Sequence, residues 1–356
     1  MRADWLWRRD EGPVRAALRG ALSPLGWLYG GGAGLHRGLY RSGLLRARKL
    51  GVGVVSVGNL VVGGTGKTPL AGWVASGLRD RGLRVALASR GYARRDRERV
   101  RVVSDGRRVR ETLSVAGDEP LLLAAQLPGV PVLVGRDRGL LGLRAQAAFG
   151  IDVLVLDDGF QHHRLQRDVE VVSFDGGQGF GNGHCLPLGP LREFPAALCA
   201  AHAVTVVDGP LPEADETRLR ACAPDALRIE ARRRPASLRA LGGGAGEAPE
   251  NLRDRDVGLL AGIANPSAFR RTLEALGARV VAERRFPDHH RYRASDLRGI
   301  VREAPLWVTT EKDASKLLPR FVKGSDVRVL SITLEVEDAS RVLDWLEARI
   351  AQRARR

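Results

Sequence analysis

From residue 51 onward, short runs of near-continuous apolar residues alternate with stretches whose apolar positions recur at helical spacing. Residues 52–57, 84–89, 130–134, 151–156, 169–174 and 203–207 read as strands, and 67–80, 119–127 and 136–149 as helices. Val- and Leu-rich runs without alternation belong to strands covered on both faces, the pattern of parallel sheets. The chain therefore predicts an α/β fold, a mostly parallel sheet with helices on both faces. A basic, irregular stretch covers 94–112. Residues 231–250, Arg-rich and then running through Gly242-Gly243-Gly244-Ala245-Gly246 to Pro249, read as a linker. Beyond it comes a second, smaller α/β block. Its strands are expected at 257–261, 279–281, 306–309 and 327–332, its helices at 266–276 and 338–354. The expected division is an N-terminal segment 1–50, a core 51–230, the linker 231–250 and a C-terminal domain 251–356.

The first fifty residues follow another pattern. Val14, Leu18, Leu22, Leu25 and Leu28 recur at helical spacing, with Trp5, Trp7, Trp27, Tyr29 and Tyr40 among them. Arg8, Arg9, Arg15, Arg19, Arg37, Arg41, Arg46, Arg48 and Lys49 flank these positions. Apolar and aromatic residues opposite basic ones describe a helix lying in a membrane interface. Gly30-Gly31-Gly32-Ala33-Gly34 is expected to break it into two short helices. No apolar run reaches the roughly 18 residues a spanning helix needs, and no signal-peptide pattern precedes it.

Charge sharpens this reading only partly. Lys and Arg number 57 against 41 Asp and Glu, a net of +16. Such a balance fits nucleic acid, an anionic membrane surface or phosphorylated substrates. Very few of the basic residues are lysine, so an Arg-rich composition accounts for it equally well. A nucleic-acid ATPase would interleave stacking aromatics with the basic residues, yet the aromatics gather near the N-terminus. Cys185, Cys199 and Cys222 have neither metal-ligand nor disulfide spacing, which fits a reducing cytosol.

The strongest chemical signal is Val61-Val62-Gly63-Gly64-Thr65-Gly66-Lys67-Thr68, between the first predicted strand and a helix that tolerates Pro69 in its first turn. This is the layout of a phosphate-binding loop. Glycines let the backbone approach a polyphosphate, and helix-start N–H groups point at the anion. Lys67 would reach the β- and γ-phosphates, and the Thr68 hydroxyl would take Mg²⁺. Val61 stands where the strict motif has glycine. Asp157-Asp158 ends a buried strand, the edge where ligands bind in open α/β sheets, and would hold Mg²⁺ facing that loop.

Other candidates are weaker alone. Asp118 and Glu119 read first as acidic residues in a first helical turn. Asp288-His289-His290 offers a histidine beside a carboxylate. Gly189-Pro190-Leu191-Arg192-Glu193 is a loop able to reach phosphate or metal, and Gln161, His162 and His163 read as structural. Thr309-Thr310-Glu311-Lys312-Asp313 carries the residues of a guanine-recognition motif in the wrong order, which counts against GTP.

Together these strings resemble the tetraacyldisaccharide 4′-kinase family, the lipid A 4′-kinases of Gram-negative bacteria. They include Ser56-Val57-Gly58-Asn59-Leu60, the loop through Pro69, Ser89-Arg90-Gly91-Tyr92, Gly117-Asp118-Glu119-Pro120 and Asp157-Asp158-Gly159-Phe160-Gln161-His162. Phe180-Gly181-Asn182-Gly183, Leu186–Glu193, Asp288-His289 and Thr309–Ala314 complete the set. The family also lacks the first glycine of the loop motif. The resemblance implies a P-loop-type kinase that uses ATP and Mg²⁺. It would phosphorylate the 4′-hydroxyl of a tetraacyldisaccharide 1-phosphate to give lipid IVA. It implies that Asp118 and His289 act together as the base, and that Arg90 and Arg138 face the transferring phosphate. Thr68, Asp157, Asp158 and Glu193 would surround Mg²⁺. The expected partners are the lipid disaccharide and the cytoplasmic face of the inner membrane, with neither nucleic acid nor an obligate protein partner. The alternative is a P-loop GTPase or metallochaperone-type nucleotide switch sharing the glycine-rich loop.

Overall fold

The computed structural model describes Trp7, residues 12–91 and residues 98–353. Trp5, Arg8, Arg9 and Tyr92 lie outside the described residues. The chain opens with helix α1 (Pro13–Arg41) and enters strand β1 (Gly53–Gly58) and helix α2 (Lys67–Asp80). There follow β2 (Val85–Ser89), β3 (Arg101–Asp105), α3 (Leu113–Ala116), α4 (Asp118–Gln126), β4 (Pro131–Val134) and α5 (Arg138–Phe149). Next come β5 (Val153–Asp157), β6 (Val169–Asp175), β7 (Ala203–Val207), α6 (Glu213–Cys222) and β8 (Leu227–Ala240). The chain ends with β9 (Asp256–Ala261), α7 (Pro266–Ala275), β10 (Arg279–Arg285), β11 (Leu306–Thr310), α8 (Glu311–Ala314), β12 (Asp326–Val336) and α9 (Ala339–Arg353).

Among the described residues the strands form a twelve-stranded sheet in the order β10-β9-β11-β12-β8-β7-β6-β1-β5-β2-β4-β3. All six residues of β1 are buried, and it pairs in parallel with β5 and β6 on either side. Its Val55 and Val57 face α2, α4 and α9 through Leu70, Val74, Leu78, Leu123 and Leu346. Val54 faces the other layer, where Leu141 and Ala145 of α5 pack. Both faces are thus covered, as the unalternating apolar runs require.

Several expectations need correcting. Residues 231–240 are no linker: they are the second part of β8. That strand pairs in parallel with β7 through 227–231 and antiparallel with β12 through 231–240. Its Arg-rich surface hid a strand that is made by its pairing partners. The stretch 94–112 contains β3, an edge strand antiparallel to β4. The closing helix α9 packs on the first block, not the second: Val342 and Leu346 join the first block's core, and Leu343 lies against Gly77 of α2.

Helix α1 is continuous over 29 residues, not two short helices. Glycine in a helix costs about 1 kcal/mol relative to alanine, but here it permits close packing. A Cβ on Gly30 would fall 2.5 Å from the Phe194 ring and 2.9 Å from the Cys185 sulfur. One on Gly26 would meet Leu188 at 2.9 Å. The glycines let α1 lie directly on the 185–194 loop.

The geometry of β8 decides where the site lies. Strand β8 outruns β7 past the C-terminal edge of the first block. The second block hangs from that extension through an antiparallel partner, so β9, β10, β11 and β12 run the opposite way. Their C-terminal ends therefore point back toward the C-terminal edge of the first block. Two ligand-binding edges face each other across one cleft. The second block is held by its own core around Trp307, which is fully buried, lies against Gly258 and donates its indole N–H to the Ile300 carbonyl at 2.8 Å. Trp307→Ala should cost about 3–5 kcal/mol, the usual loss for a buried tryptophan. Urea unfolding would register this as a lowered midpoint; an unchanged midpoint would contradict the role given to Trp307.

Candidate functional site

The phosphate loop is held from several sides. Gly66 caps α2 with φ 78° and Gly63 has φ 137°, backbone that only glycine adopts without strain. The Asn59 side chain is buried beneath the loop and donates to the Val61 carbonyl at 2.5 Å and to Thr65 Oγ1 at 3.1 Å. The Ser173 hydroxyl donates to the Thr65 carbonyl. The Val62 N–H donates to the Pro190 carbonyl at 2.8 Å, and Gln178 Nε2 donates back to the Val62 carbonyl at 3.1 Å. Val61 is fully buried beside Phe160, Phe174 and Phe180 and makes an antiparallel bridge to Leu191. Its backbone is outside the left-handed region. Glycine is unnecessary there because the position is a stretch of paired backbone, not a turn.

The two aspartates separate in role. Asp157 is buried at the end of β5 and accepts from Thr68 Oγ1 at 3.1 Å and Ser89 Oγ at 3.2 Å. Burial, with Glu119 and Asp158 nearby, pushes its pKa up to about 7 against the pull of Lys67. Asp158 sits in left-handed backbone, φ 58°, and pairs with Arg192 at 2.8 Å. Burial opposes its charge, but Arg192 and Lys67 outweigh that and hold it below the ordinary carboxylate range. Thr68 and Asp157 offer hard oxygen donors side by side in a spot short of positive charge, which suits Mg²⁺. Among the described residues no group of three or more His, Cys, Asp or Glu side chains could hold a metal alone. Magnesium in nucleotide sites takes its remaining ligands from phosphates and water.

Glu193, expected beside the metal, forms an ion pair with Arg37. Its two oxygens accept from Arg37 Nε at 2.7 Å and Arg37 Nη2 at 2.9 Å, and both side chains are largely buried. Arg37 also covers the Phe160 ring at 4.3 Å. Sequence distance concealed this pair, which ties α1 to the loop beside Asp158. Gln161 and the histidines brace the same region. Gln161 donates to the Asn59 carbonyl at 3.1 Å, and burial lowers the pKa of His162 to about 4 and that of His163 to about 3. Both rings are neutral at physiological pH.

The predicted arginines stand on the same edge. Arg90 follows β2 and is exposed. Arg138 is buried at the start of α5, donates to the Arg136 and Asp158 carbonyls at 3.1 and 3.3 Å, and has an Nε without a hydrogen-bond partner. Burial lowers its pKa. A buried guanidinium with an unused donor suits a phosphate oxygen.

Asp118 and His289 meet across the cleft. Asp118 is buried in the first turn of α4, and His289, in left-handed backbone at φ 61°, follows β10. His289 Nδ1 lies 2.8 Å from Asp118 Oδ2. The hydrogen bond to Asp118 raises the histidine pKa against burial and Lys312. Burial opposes the charge of Asp118, but His289 and Lys312 hold its pKa below the ordinary value. A residue absent from the sequence expectations therefore belongs here: Lys312 was read only as part of a scrambled guanine motif. Another is Arg233 of β8, which pairs with Asp175 and Asp208 and donates to the Gly64 carbonyl at 3.4 Å.

Known proteins resemble this chain over nearly its whole length. A family model described as tetraacyldisaccharide-1-P 4′-kinase matches residues 18–351. A tetraacyldisaccharide 4′-kinase of Anaeromyxobacter dehalogenans (strain 2CP-C) is 46% identical, covering 99% of this chain and 94% of its own. One from Syntrophus aciditrophicus (strain SB) is 39% identical over 93% of each. A crystal structure of LpxK from Aquifex aeolicus in complex with ATP superposes with a TM-score of 0.78 at 31% identity, covering 94% of this chain and 99% of that one.

Removing one member of a buried ion pair strands the other charge, at a cost of about 3–5 kcal/mol. Arg37→Ala should therefore lower thermal stability, and Glu193→Gln should do so less, while the Mg²⁺ concentration giving half-maximal turnover stays the same in Glu193→Gln. A shifted Mg²⁺ requirement in Glu193→Gln would return that carboxylate to the metal.

Proposed function

The chain belongs to the tetraacyldisaccharide-1-P 4′-kinase family, and from that premise we propose how its residues carry the reaction. It transfers the γ-phosphate of ATP to the 4′-hydroxyl of a tetraacyldisaccharide 1-phosphate, giving lipid IVA. The alternative of a GTPase or metallochaperone switch falls away with the family. The motif explains itself otherwise: Asp313 is buried and bonded to the Gly262 N–H at 3.0 Å and the Thr310 hydroxyl at 2.8 Å, out of reach of a base.

In our reading the 4′-hydroxyl enters the cleft beside the Asp118–His289 pair. The pair takes the hydroxyl proton as the oxygen attacks the γ-phosphorus. The bond from that phosphorus to the β–γ bridging oxygen breaks, and its electrons leave with ADP. Phosphoryl transfer needs alignment and neutralised charge more than covalent help. Lys67 and the N–H groups at the start of α2 would hold the β- and γ-phosphates. Arg138, with its free Nε, and Arg90 would face the moving phosphoryl group. Thr68 and Asp157 would hold Mg²⁺, which supplies charge neutralisation on the phosphates. The second block is needed because it alone brings His289 to Asp118, and its closure keeps water from the γ-phosphate. The observation carrying this reading is the 2.8 Å hydrogen bond between residues 171 positions apart.

We further propose that the enzyme works at the cytoplasmic face of the inner membrane, where its acylated substrate lies. No described helix is long and apolar enough to cross a membrane. The support is α1, where Val14, Leu18, Leu25, Trp27, Leu28 and Leu35 are exposed, Trp27 to 70% and Leu28 to 72%. A rigid helix with uncovered apolar side chains, anchored through Arg37, suits an interface.

Two experiments follow. Asp118→Asn and His289→Ala should each lower kcat by about 10²-fold or more in a micellar assay with labelled Mg-ATP, the scale of general-base catalysis. Full turnover in either would refute the pair. Replacing Trp27, Leu28 and Leu35 together by Ser should release the protein from sedimenting anionic lipid vesicles with its fold intact by circular dichroism; unchanged co-sedimentation would refute the membrane-facing role of α1.

A further inference from the structure

Three carboxylates from two blocks converge on one ammonium. Lys312 Nζ lies 3.1 Å from Asp288 Oδ1, 3.7 Å from Glu119 Oε1 and 3.9 Å from Asp118 Oδ2. Asp118 and Glu119 belong to the first turn of α4, whereas Asp288 and Lys312 belong to the second block. The lysine side chain is only 19% exposed. Burial works against its charge, but Glu119, Asp288 and Asp118 outweigh burial and raise its pKa above the ordinary value. It is a cation wherever the enzyme works.

The backbone that carries Lys312 is fixed from within the second block. Thr310 caps α8 by accepting from the Asp313 N–H at 3.1 Å. Asp313 in turn holds the Gly262 N–H and pairs with Lys316 at 3.0 Å. Beside it, Gln126 Nε2 of α4 donates to Glu311 Oε2 of α8 at 2.8 Å, a second polar contact across the same seam. The seam is thus an ion cluster with its cation at the centre, not a chance surface pair.

We propose that Lys312 is a positioning residue for the phosphoryl transfer: its ammonium latches the second block onto the first turn of α4 and, lying beside the Asp118–His289 pair, opposes the gain of a proton there. The proposal rests on the reading of that pair as the proton acceptor. The charged groups facing the pair are Glu119 on α4, Asp288 after β10, and Lys312 and Lys316 on and after α8. Removing the Lys312 charge leaves the acidic groups less balanced, and both Asp118 and His289 then bind protons more tightly. The pair titrates as a unit, so the acid limb of its pH–rate profile moves to higher pH.

The test compares Lys312→Met, Lys312→Gln and Lys312→Arg with the parent chain, measuring kcat in micelles from about pH 5.5 to about pH 9, across the histidine range. Lys312→Met and Lys312→Gln should move the acid limb up by about one pH unit, the scale of one neighbouring charge. Turnover then falls about tenfold on the acid side, with a smaller loss on the alkaline plateau. Lys312→Arg should restore the parent limb. A merely structural role would lower turnover evenly at every pH, and a limb that does not move in variants that still bind ATP overturns the proposal. If Asp118→Asn and His289→Ala keep full turnover, the reading of the pair itself has failed; if they lose it while the Lys312 limb stays put, only the role of Lys312 has failed.

Discussion

One strand that is longer than its neighbour underlies the whole arrangement. Strand β8 spends its first five residues beside β7 and then continues past the edge of the first block, paired from residue 231 onward with β12 on its other side. Because that second pairing is antiparallel, the strands of the second block are reversed. In a parallel sheet the ligand edge is the carboxyl edge. Reversal makes two such edges confront each other, and the groups at each become neighbours. Without it His289 and Lys312 would lie on the far side of the sheet from Asp118 and the phosphate loop.

The cleft so formed is an electrostatic balance. On the first block, Asp157 lacks enough positive charge and its pKa rises to about 7, while Arg138 is buried with a donor unused. A carboxylate short of cations and a guanidinium with an unused donor on the same edge describe a place for a metal–phosphate complex. On the facing edge, Lys312 and His289 meet Asp118, Glu119 and Asp288, so these groups find their partners within the protein. The nucleotide side is incomplete and the base side is complete, as expected when the protein holds its base ready and receives its phosphoryl donor from solution.

Local chemistry was legible in the sequence and long-range pairing was not. The glycine-rich loop, Asp157-Asp158 and the strands of the first block announce themselves through residues adjacent in the chain. Asp118 did not: alone it reads as an acidic residue in a first helical turn, and only the family resemblance joined it to His289. The pairing of Glu193 with Arg37 was invisible because the two are 156 residues apart. Lys312 was passed over because a broken guanine motif gave it nothing to do, whereas the fold turns it toward three carboxylates. The Arg-rich β8 looked like a linker because propensity reads side chains, and this strand is made by its pairing partners. The glycines of α1 looked like a break because their packing against Phe194 and Cys185 is invisible in sequence.

The central claim is that Asp118 and His289 act as one unit formed across the two facing edges. A double-mutant cycle on kcat tests it most directly, because groups acting as a unit lose activity non-additively. The account predicts that Asp118→Asn combined with His289→Ala is no slower than the slower single variant. Losses that multiply in the double variant would show two independent contributions and contradict it.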